Sequence, residues 1–274
     1  MSYHQVAFFT MNSLRYYFYP ILIVFVLSRC QSSPKQVTED IPKATTKTIT
    51  VGVLPTLDCL PFCMASIYDI YRPLGLNIKL VYKNSQMDLE QSLIRGHIDI
   101  AASDMFRVIM MQNKKKNVKF LFSSSREWEL YANKRRRLTK LEQLGDKMVG
   151  MTRCSVLDYY CDTISNNIKK NTGLLLRPQI NDIFIRIQML NEAQIDAAFI
   201  PLPLNQIAQN KEHSMISSLS ESSGYSGFAI NCNRITPEQP EISRLLKAYN
   251  MAVDSIRTYL PQVLPPQIRL HFGV

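Results

Sequence analysis

The chain has 274 residues, 46% of them hydrophobic and 20% charged, with 32 Lys and Arg against 22 Asp and Glu for a formal charge of +10. That length admits one or two domains, and the apolar share is that of a folded globular protein, which excludes large-scale disorder. The basic clusters Lys114-Lys115-Lys116 and Lys134-Arg135-Arg136-Arg137 carry neither aromatic interleaving nor a nucleic-acid motif. They are read as solvated helix ends or loops, with anionic lipid headgroups as the alternative and no nucleic acid as a partner.

Arg15 and Arg29 are the only charges among residues 1–29, so the chain from Cys30 onward keeps 30 basic residues against 22 acidic ones, or +8. Between those arginines lie 13 uncharged residues centred on Ile21-Leu22-Ile23-Val24-Phe25-Val26-Leu27. As a helix they would span about 20 Å at ~1.5 Å per residue, short of the ~30 Å hydrocarbon core. Residues 1–29 are therefore expected to be a signal peptide, with Met11 as an alternative start, and 30–47 a polar tether. The folded part is expected outside the cytoplasm.

Ile49–Leu54 reads as a strand, Leu60–Tyr71 as a helix broken by Pro73 and Gly75, and Asn77–Tyr82 as a second strand. Asp88–Arg95 is a short helix closing at Gly96, Ile98–Ala102 a third strand, and Ser103-Asp104 the cap of a helix reaching about Gln112. Val118–Phe122 is a fourth strand, and Trp128–Ala132 a strand crossing between lobes. The pattern then restarts with a strand at Lys147–Thr152, a helix at Ser155–Lys170 and a strand beginning at Leu174–Leu176. A helix capped by Asp182 runs through Leu190, followed by a strand at Ile195–Ile200 and a short helix at Pro203–Gln209. Near Gly224–Asn231 the chain is expected to return to the first lobe, and Glu241–Leu260 has the three-and-four spacing of an amphipathic helix.

A repeat underlies this order. Gly52, Gly75 and Asp99 in one half match Gly150, Gly173 and Asp196 in the other, with Ile98-Asp99-Ile100-Ala101 answered by Ile195-Asp196-Ala197-Ala198. Strands alternating with helices at this spacing predict an α/β fold of two similar lobes with mostly parallel sheets and a cleft between them. The expected boundaries are 48–128 for the first lobe, 129–224 for the second, and 225–274 for the return and the C-terminal helix. Asp99 and Asp196 hold equivalent positions at strand starts, so they are read as scaffold rather than as a catalytic pair. Cys59, Cys63, Cys154, Cys161 and Cys232 form an odd set, read as buried small side chains with at least one free thiol. The four histidines are scattered, so no metal site and no cofactor is expected.

The phrase Ile49-Thr50-Val51-Gly52-Val53-Leu54-Pro55, the run Leu93-Ile94-Arg95-Gly96-His97-Ile98-Asp99-Ile100-Ala101 and the matching second lobe resemble the periplasmic solute-binding proteins of ABC transporters. The likeness is to the type II architecture of binders of taurine, alkanesulfonates, nitrate and the thiamine pyrimidine precursor. Leu27-Ser28-Arg29-Cys30 also resembles a lipobox, with Arg29 where such motifs carry a small residue; it implies acylation of Cys30 and a membrane anchor. The resemblance implies a monomer that captures a small, anionic molecule for an ABC permease and its ATPase, without catalysis. An enzyme on the same fold, similar to chorismate dehydratases or thiamine-pyrimidine synthases, and a ligand-sensing protein are the alternatives. Ligands of such folds lie at the carboxyl ends of strands, beside helix N-termini. Those positions here are Thr56, Leu57 and Asp58, Ser103 and Asp104, Ser123 and Ser124 in the first lobe. In the second they are Thr152, Arg153, Ser155 and Pro201, with Tyr225 at the return crossing.

Overall fold

The computed structural model describes residues 47–168, 173–220 and 224–259, with Arg269 and Phe272. The expected signal segment, Cys30 and the tether up to residue 46 lie outside them. The described residues belong to one compact unit. Among the described residues no helix is long and apolar enough to cross a membrane, and no group of three His, Cys, Asp or Glu side chains could hold a metal ion.

In chain order the regular elements are β1 (Thr48–Val53), α1 (Leu60–Ile67), β2 (Asn77–Tyr82), α2 (Gln86–Ile94), β3 (Ile100–Asp104), α3 (Met105–Asn113) and β4 (Val118–Ser123). There follow β5 (Glu127–Ala132), β6 (Val149–Gly150), α4 (Val156–Asn167), α5 (Ile183–Asn191), β7 (Ala197–Pro201), α6 (Asn205–Asn210), β8 (Ser214–Ser220), β9 (Ser226–Asn231) and α7 (Pro240–Tyr259). Two sheets result, ordered β2-β1-β3-β9-β4 and β6-β7-β5-β8. In the first, β1 pairs in parallel with β2 and β3, and β9 runs antiparallel between β3 and β4. In the second, β6 is parallel to β7, and β5 runs antiparallel between β7 and β8. Each sheet is thus mostly parallel, with one reversed strand, and the α/β class expected from the sequence is observed.

The reversed strands are the two crossings. β5 follows β4 after three residues yet belongs to the other sheet, and β9 follows β8 yet inserts into the first sheet. Apolar side chains of β1, β3, β9, α1 and α7 fill the core of the first lobe. The second lobe has two clusters, one around Trp128, Leu130, Val149 and Phe199, the other around Tyr131, Ile187, Leu190 and Ile200.

The repeat is built from close backbone approach and from one recurring carboxylate. A Cβ on Gly52 would lie 2.6 Å from Leu89 Cδ2 and 2.7 Å from Ile98 Cδ1, and one on Gly150 would lie 2.7 Å from Ile195 Cδ1, so each strand is bare where these side chains pack down on it. Asp99 Oδ2 accepts the Thr50 N–H at 2.8 Å, and Asp196 Oδ2 accepts the Met148 N–H at the same distance. Each aspartate is also paired with an arginine at 2.6 Å, Arg234 for Asp99 and Arg136 for Asp196. These arginines belong to a second repeat that the sequence reading missed. Asn133 and Arg136 recur 98 residues later as Asn231 and Arg234, each asparagine donating from Nδ2 to the last turn of a helix, at Leu190 O and Leu93 O.

Differences from the expected elements have local causes. The helix expected to reach Tyr71 ends at Ile67, because Asp69 turns into the left-handed region at φ 55°. The strand expected over Lys147–Thr152 contracts to Val149–Gly150, flanked by single parallel bridges from Met148 to Leu176 and from Met151 to Gln179. The strand Ser214–Ser220 was not expected; its apolar residues Met215, Ile216 and Leu219 do not alternate, and its pairing with β5 imposes the conformation. Of the five cysteines, Cys59, Cys63 and Cys161 are buried, Cys232 is half-buried and Cys154 is exposed; all are free thiols.

Gly227 bears the tightest constraint, since a Cβ there would lie 2.1 Å from the Phe122 carbonyl oxygen on the neighbouring strand. Gly227→Ala is expected to cost more than the ~1–3 kcal/mol of ordinary overpacking, because a paired backbone cannot yield. Gly52→Ala meets only side-chain tips and should fall within that range. Equal losses in denaturant unfolding of the two variants would contradict this ranking.

Candidate ligand-binding cleft

The carboxyl ends of β1, β3 and β7 and the start of β5 bring the loops of the two sheets together along a seam. Among the described residues few hydrogen bonds close it: Leu57 N–H to Leu202 O at 3.0 Å, Ile183 N–H to Asn84 O at 3.0 Å, Arg107 Nη1 to Arg153 O at 3.2 Å and Gln179 Nε2 to Met87 Sδ at 3.1 Å. Ser85 and Asp182, the N-caps of α2 and α5, face each other in an antiparallel bridge. They occupy equivalent places in the repeat, which is what a pseudo-twofold relation between lobes requires. At the rim the Phe106 ring stacks on Tyr159 at 5.3 Å and meets Tyr225 edge-on at 5.3 Å. An open groove of about 290 Å³ runs beside them between α3 and α4, lined by Phe106, Ile109, Met110, Ser155, Asp158 and Tyr159.

Beneath the seam on the first-lobe side is a buried polar network. Arg126, in the link between β4 and β5, holds Asp58 through Nε at 3.1 Å to both carboxylate oxygens and through Nη2 at 2.9 Å to Oδ2; both side chains are 1% exposed. Thr56 Oγ1 and Ser124 Oγ also donate to Asp58, at 2.6 and 2.7 Å. Burial pushes the Asp58 carboxyl up, but the Arg126 guanidinium and these hydrogen bonds override it and leave it below its ordinary range. Arg107 forks onto Glu90 with contacts of 2.5–3.1 Å, and Ser103 Oγ donates to Glu90 Oε1 at 3.2 Å.

Asp104 is held differently. It caps α3, its Oδ1 accepting the Arg107 N–H at 2.9 Å, and its Oδ2 accepts from Gln86 Nε2 at 2.7 Å. It is fully buried, and among the described residues it has no ion pair. Burial pushes its pKa up to about 6, a rise the hydrogen bonds from Gln86 and Arg107 only partly oppose. In the second lobe, among the described residues, the fully buried charge without an ion pair is positive. Arg186 donates to the carbonyls of Ile180 and Phe199 and to Thr152 Oγ1, with no carboxylate in contact, and burial pushes it down to about 10.

Of the positions singled out from the sequence, Thr56, Asp58, Ser103, Asp104, Thr152 and Ser155 are buried at this seam. Leu57 and Tyr225 make backbone contacts there, Tyr225 O accepting the Met105 N–H at 2.8 Å. Pro201 pairs with Trp128. Ser155 caps α4, its Oγ accepting the Leu157 N–H. Arg153 is half-exposed and turned to Asp158 at 3.2 Å, away from the network. Ser123 and Ser124 line a pocket of about 400 Å³ together with Leu57 and Asp58 and, from α7, Asn250 and Arg257. Arg126, Glu90, Arg107, Arg186 and Trp128 were missed. Two of them were readable: Glu90 and Arg186 lie on the apolar stripes Leu89-Glu90-Leu93 and Ile183-Arg186-Ile187-Leu190, where a charge must be buried.

No family model matches the sequence, and no curated protein matches it. Solved structures do. A ligand-binding component of an ABC-type import system from Staphylococcus aureus, solved with zinc bound, superposes with a TM-score of 0.64 at 14% identity over 83% of this chain and 84% of that one. The alkanesulfonate-binding protein of Xanthomonas axonopodis pv. citri, bound to MOPS, gives 0.62 at 14% identity over 82% of each chain. A Candida albicans gene product described as having the generic periplasmic binding protein fold gives 0.62 at 16% identity, over 83% of this chain and 76% of that one. The chain has the periplasmic-binding-protein fold. At these identities the likeness establishes the fold, and the periplasmic-binding-protein fold places the seam described above where two lobes meet.

Because the native pKa of Asp104 lies above the ordinary 3.8, its stabilising share is complete below about pH 4 and is lost as pH rises toward 6. Asp104→Asn, which keeps the cap, should therefore gain stability over the ligand-free wild type across that window, by at most about 3 kcal/mol at ~1.4 kcal/mol per pKa unit. Urea unfolding of both proteins from pH 4 to 7 reads this directly, and parallel stability curves would refute it.

Proposed function

We propose that the chain is an extracytoplasmic solute-binding protein that closes two lobes on a small solute bearing an anionic group and delivers it to an ABC permease. Acylation of Cys30 would hold it at the membrane, and no catalysis is involved. The observation that carries this reading is the seam itself: two lobes joined by two crossings, touching through few hydrogen bonds, above a floor of fully buried charged groups. Such lobes move as rigid bodies about the crossings, and burial of the floor by closure gives polar contacts their strength. The named activities of the structural neighbours, a component of an import system and an alkanesulfonate binder, support the same reading. Asp99 and Asp196 are committed to backbone N–H groups and arginines, which supports binding over turnover.

Purified protein should be screened by thermal shift against small carboxylates, sulfonates and phosphonates. A cognate solute at 100 times its Kd adds about 2.7 kcal/mol, a rise of several degrees. Chemical conversion of the bound solute would replace the binding reading with an enzymatic one. For the anchor, Cys30→Ala should move the protein from the membrane fraction to the soluble one, and unchanged partition removes the lipid from the proposal.

A further inference from the structure

The two basic runs of the sequence fare differently in the fold. In the second lobe Lys134 pairs with Glu212 at 2.8 Å and Arg136 with Asp196 at 2.6 Å. In the first, Lys114, Lys115 and Lys116 are all exposed and have no ion pair among the described residues. This run follows α3 and leads into β4, which places it at the strand-start end of the first sheet. Strands β1 to β4 all run the same way, so that end also gathers Lys47 before β1 and Arg95 after α2. Hydrogen bonds knit it together: Cys232 N–H donates to Asn117 O at 2.9 Å, Asn117 Nδ2 to Asn233 Oδ1 at 2.8 Å, and Lys47 Nζ to Arg234 O at 2.9 Å.

One cation at a helix C-terminus complements the helix dipole, and Arg95 and Lys114 fill those places for α2 and α3. Lys47, Lys115 and Lys116 exceed that need. The carboxylates at this end do not offset them: Asp99 is taken by Arg234 and Asp69 by Arg72, at 2.6 Å each, and the exposed Glu238 has Lys119 acting on it electrostatically. Among the described residues Lys47, Arg95, Lys114, Lys115 and Lys116 are therefore exposed cations without a carboxylate. Clusters of about four to eight Lys and Arg held beside a membrane are drawn to anionic headgroups. Anchoring at Cys30, as proposed above, would keep Lys47 within about 60 Å of the bilayer, since 17 residues separate them at ~3.5 Å each.

We infer that the strand-start face of the first lobe lies on anionic lipid headgroups, held by Lys47, Arg95 and the run Lys114-Lys115-Lys116. The seam is at the opposite end of the same strands, so this pose keeps it about 20 Å off the surface, six residues at ~3.3 Å each. Such contact is screened by salt and reversible, which leaves the molecule free to tip onto a permease. The face requires nothing of the solute, and only its approach to the bilayer rests on the anchor proposed above.

The test mixes the full chain with vesicles of phosphatidylcholine alone or with one third phosphatidylglycerol, and follows lysine acylation by a membrane-impermeant ester through peptide mass spectrometry. On the anionic vesicles Lys114, Lys115 and Lys116 should label at least fivefold more slowly than on the neutral ones, with Lys140 and Lys211 of the second lobe unchanged. In ~1 M salt, where the screening length falls to about 3 Å, the difference should vanish. Combining Lys47→Gln with Arg95→Gln, both at exposed positions, should bring the slowing below twofold. Equal labelling on the two kinds of vesicle, or equal slowing of every lysine, overturns the inference. Protection by heparin in solution but not by vesicles assigns the face to a soluble polyanion and overturns it too. A full chain that leaves neutral vesicles for the supernatant refutes the anchor alone, because labelling beside anionic vesicles still decides the face.

Discussion

The ion pair between Arg126 and Asp58 fastens the first crossing to the first lobe, and the cleft depends on it. Both groups are withdrawn from water, which costs more than an apolar contact unless geometry and added hydrogen bonds recover the desolvation. Here they do: two carboxylate oxygens receive five donated hydrogen bonds from Arg126, Thr56 and Ser124. The backbone of Asp58 is held as well, its carbonyl accepting from Tyr249 of α7 at 2.8 Å. Loss of one partner would strand a charge, at a cost of about 3–5 kcal/mol. An apolar plug would stabilise the same place without dictating the direction in which the chain leaves for the second lobe. The paired charges fix that direction, and with it the position of Trp128 and the start of β5.

The two lobes share a scaffold and differ in polarity. Gly52 and Gly150 pass under equivalent helices, but the side chain above the first is Leu89 and above the second Arg186. At the ends of β3 and β7 the corresponding residues are Asp104 and Pro201. Glycine, aspartate and the Asn-x-x-Arg pair recur because the backbone geometry of each lobe needs them. The residues that do not recur leave a lone negative charge in one floor and a lone positive charge in the other.

This division also explains what was legible in the sequence. Gly52, Asp99 and their partners are forced by close approach and by unpaired strand-end N–H groups, so spacing alone exposed them, and with them the two-lobed α/β fold. Asp104 and Asp182 were marked by their capping chemistry, whereas the cap Ser85 was passed over for a helix start at Asp88. The strand Ser214–Ser220 carries no periodic signal, because its conformation comes from β5 rather than from its own residues. Arg126 was hidden for a related reason: it follows three serines in a short link, and its burial is decided by Asp58, 68 residues earlier. Arg153 drew notice as a cation beside a helix start, yet Asp158, one turn into that helix, takes it up. Local rules find scaffold and caps, whereas partners brought together by topology need the fold.

The insertion of β9 between β3 and β4 has a consequence for how the molecule comes into being. Strands β1 to β4 are complete by residue 123, but β4 has no neighbour in its sheet until residues 226–231 arrive. The first lobe to be synthesised is therefore the last to be finished, and α7, which packs on α1, comes later still. Contacts of such long sequence separation close slowly, after the loop entropy of the whole second lobe has been overcome. Until then the chain has an open sheet edge and stays short of its native core, so completion of the fold waits on release of nearly its full length.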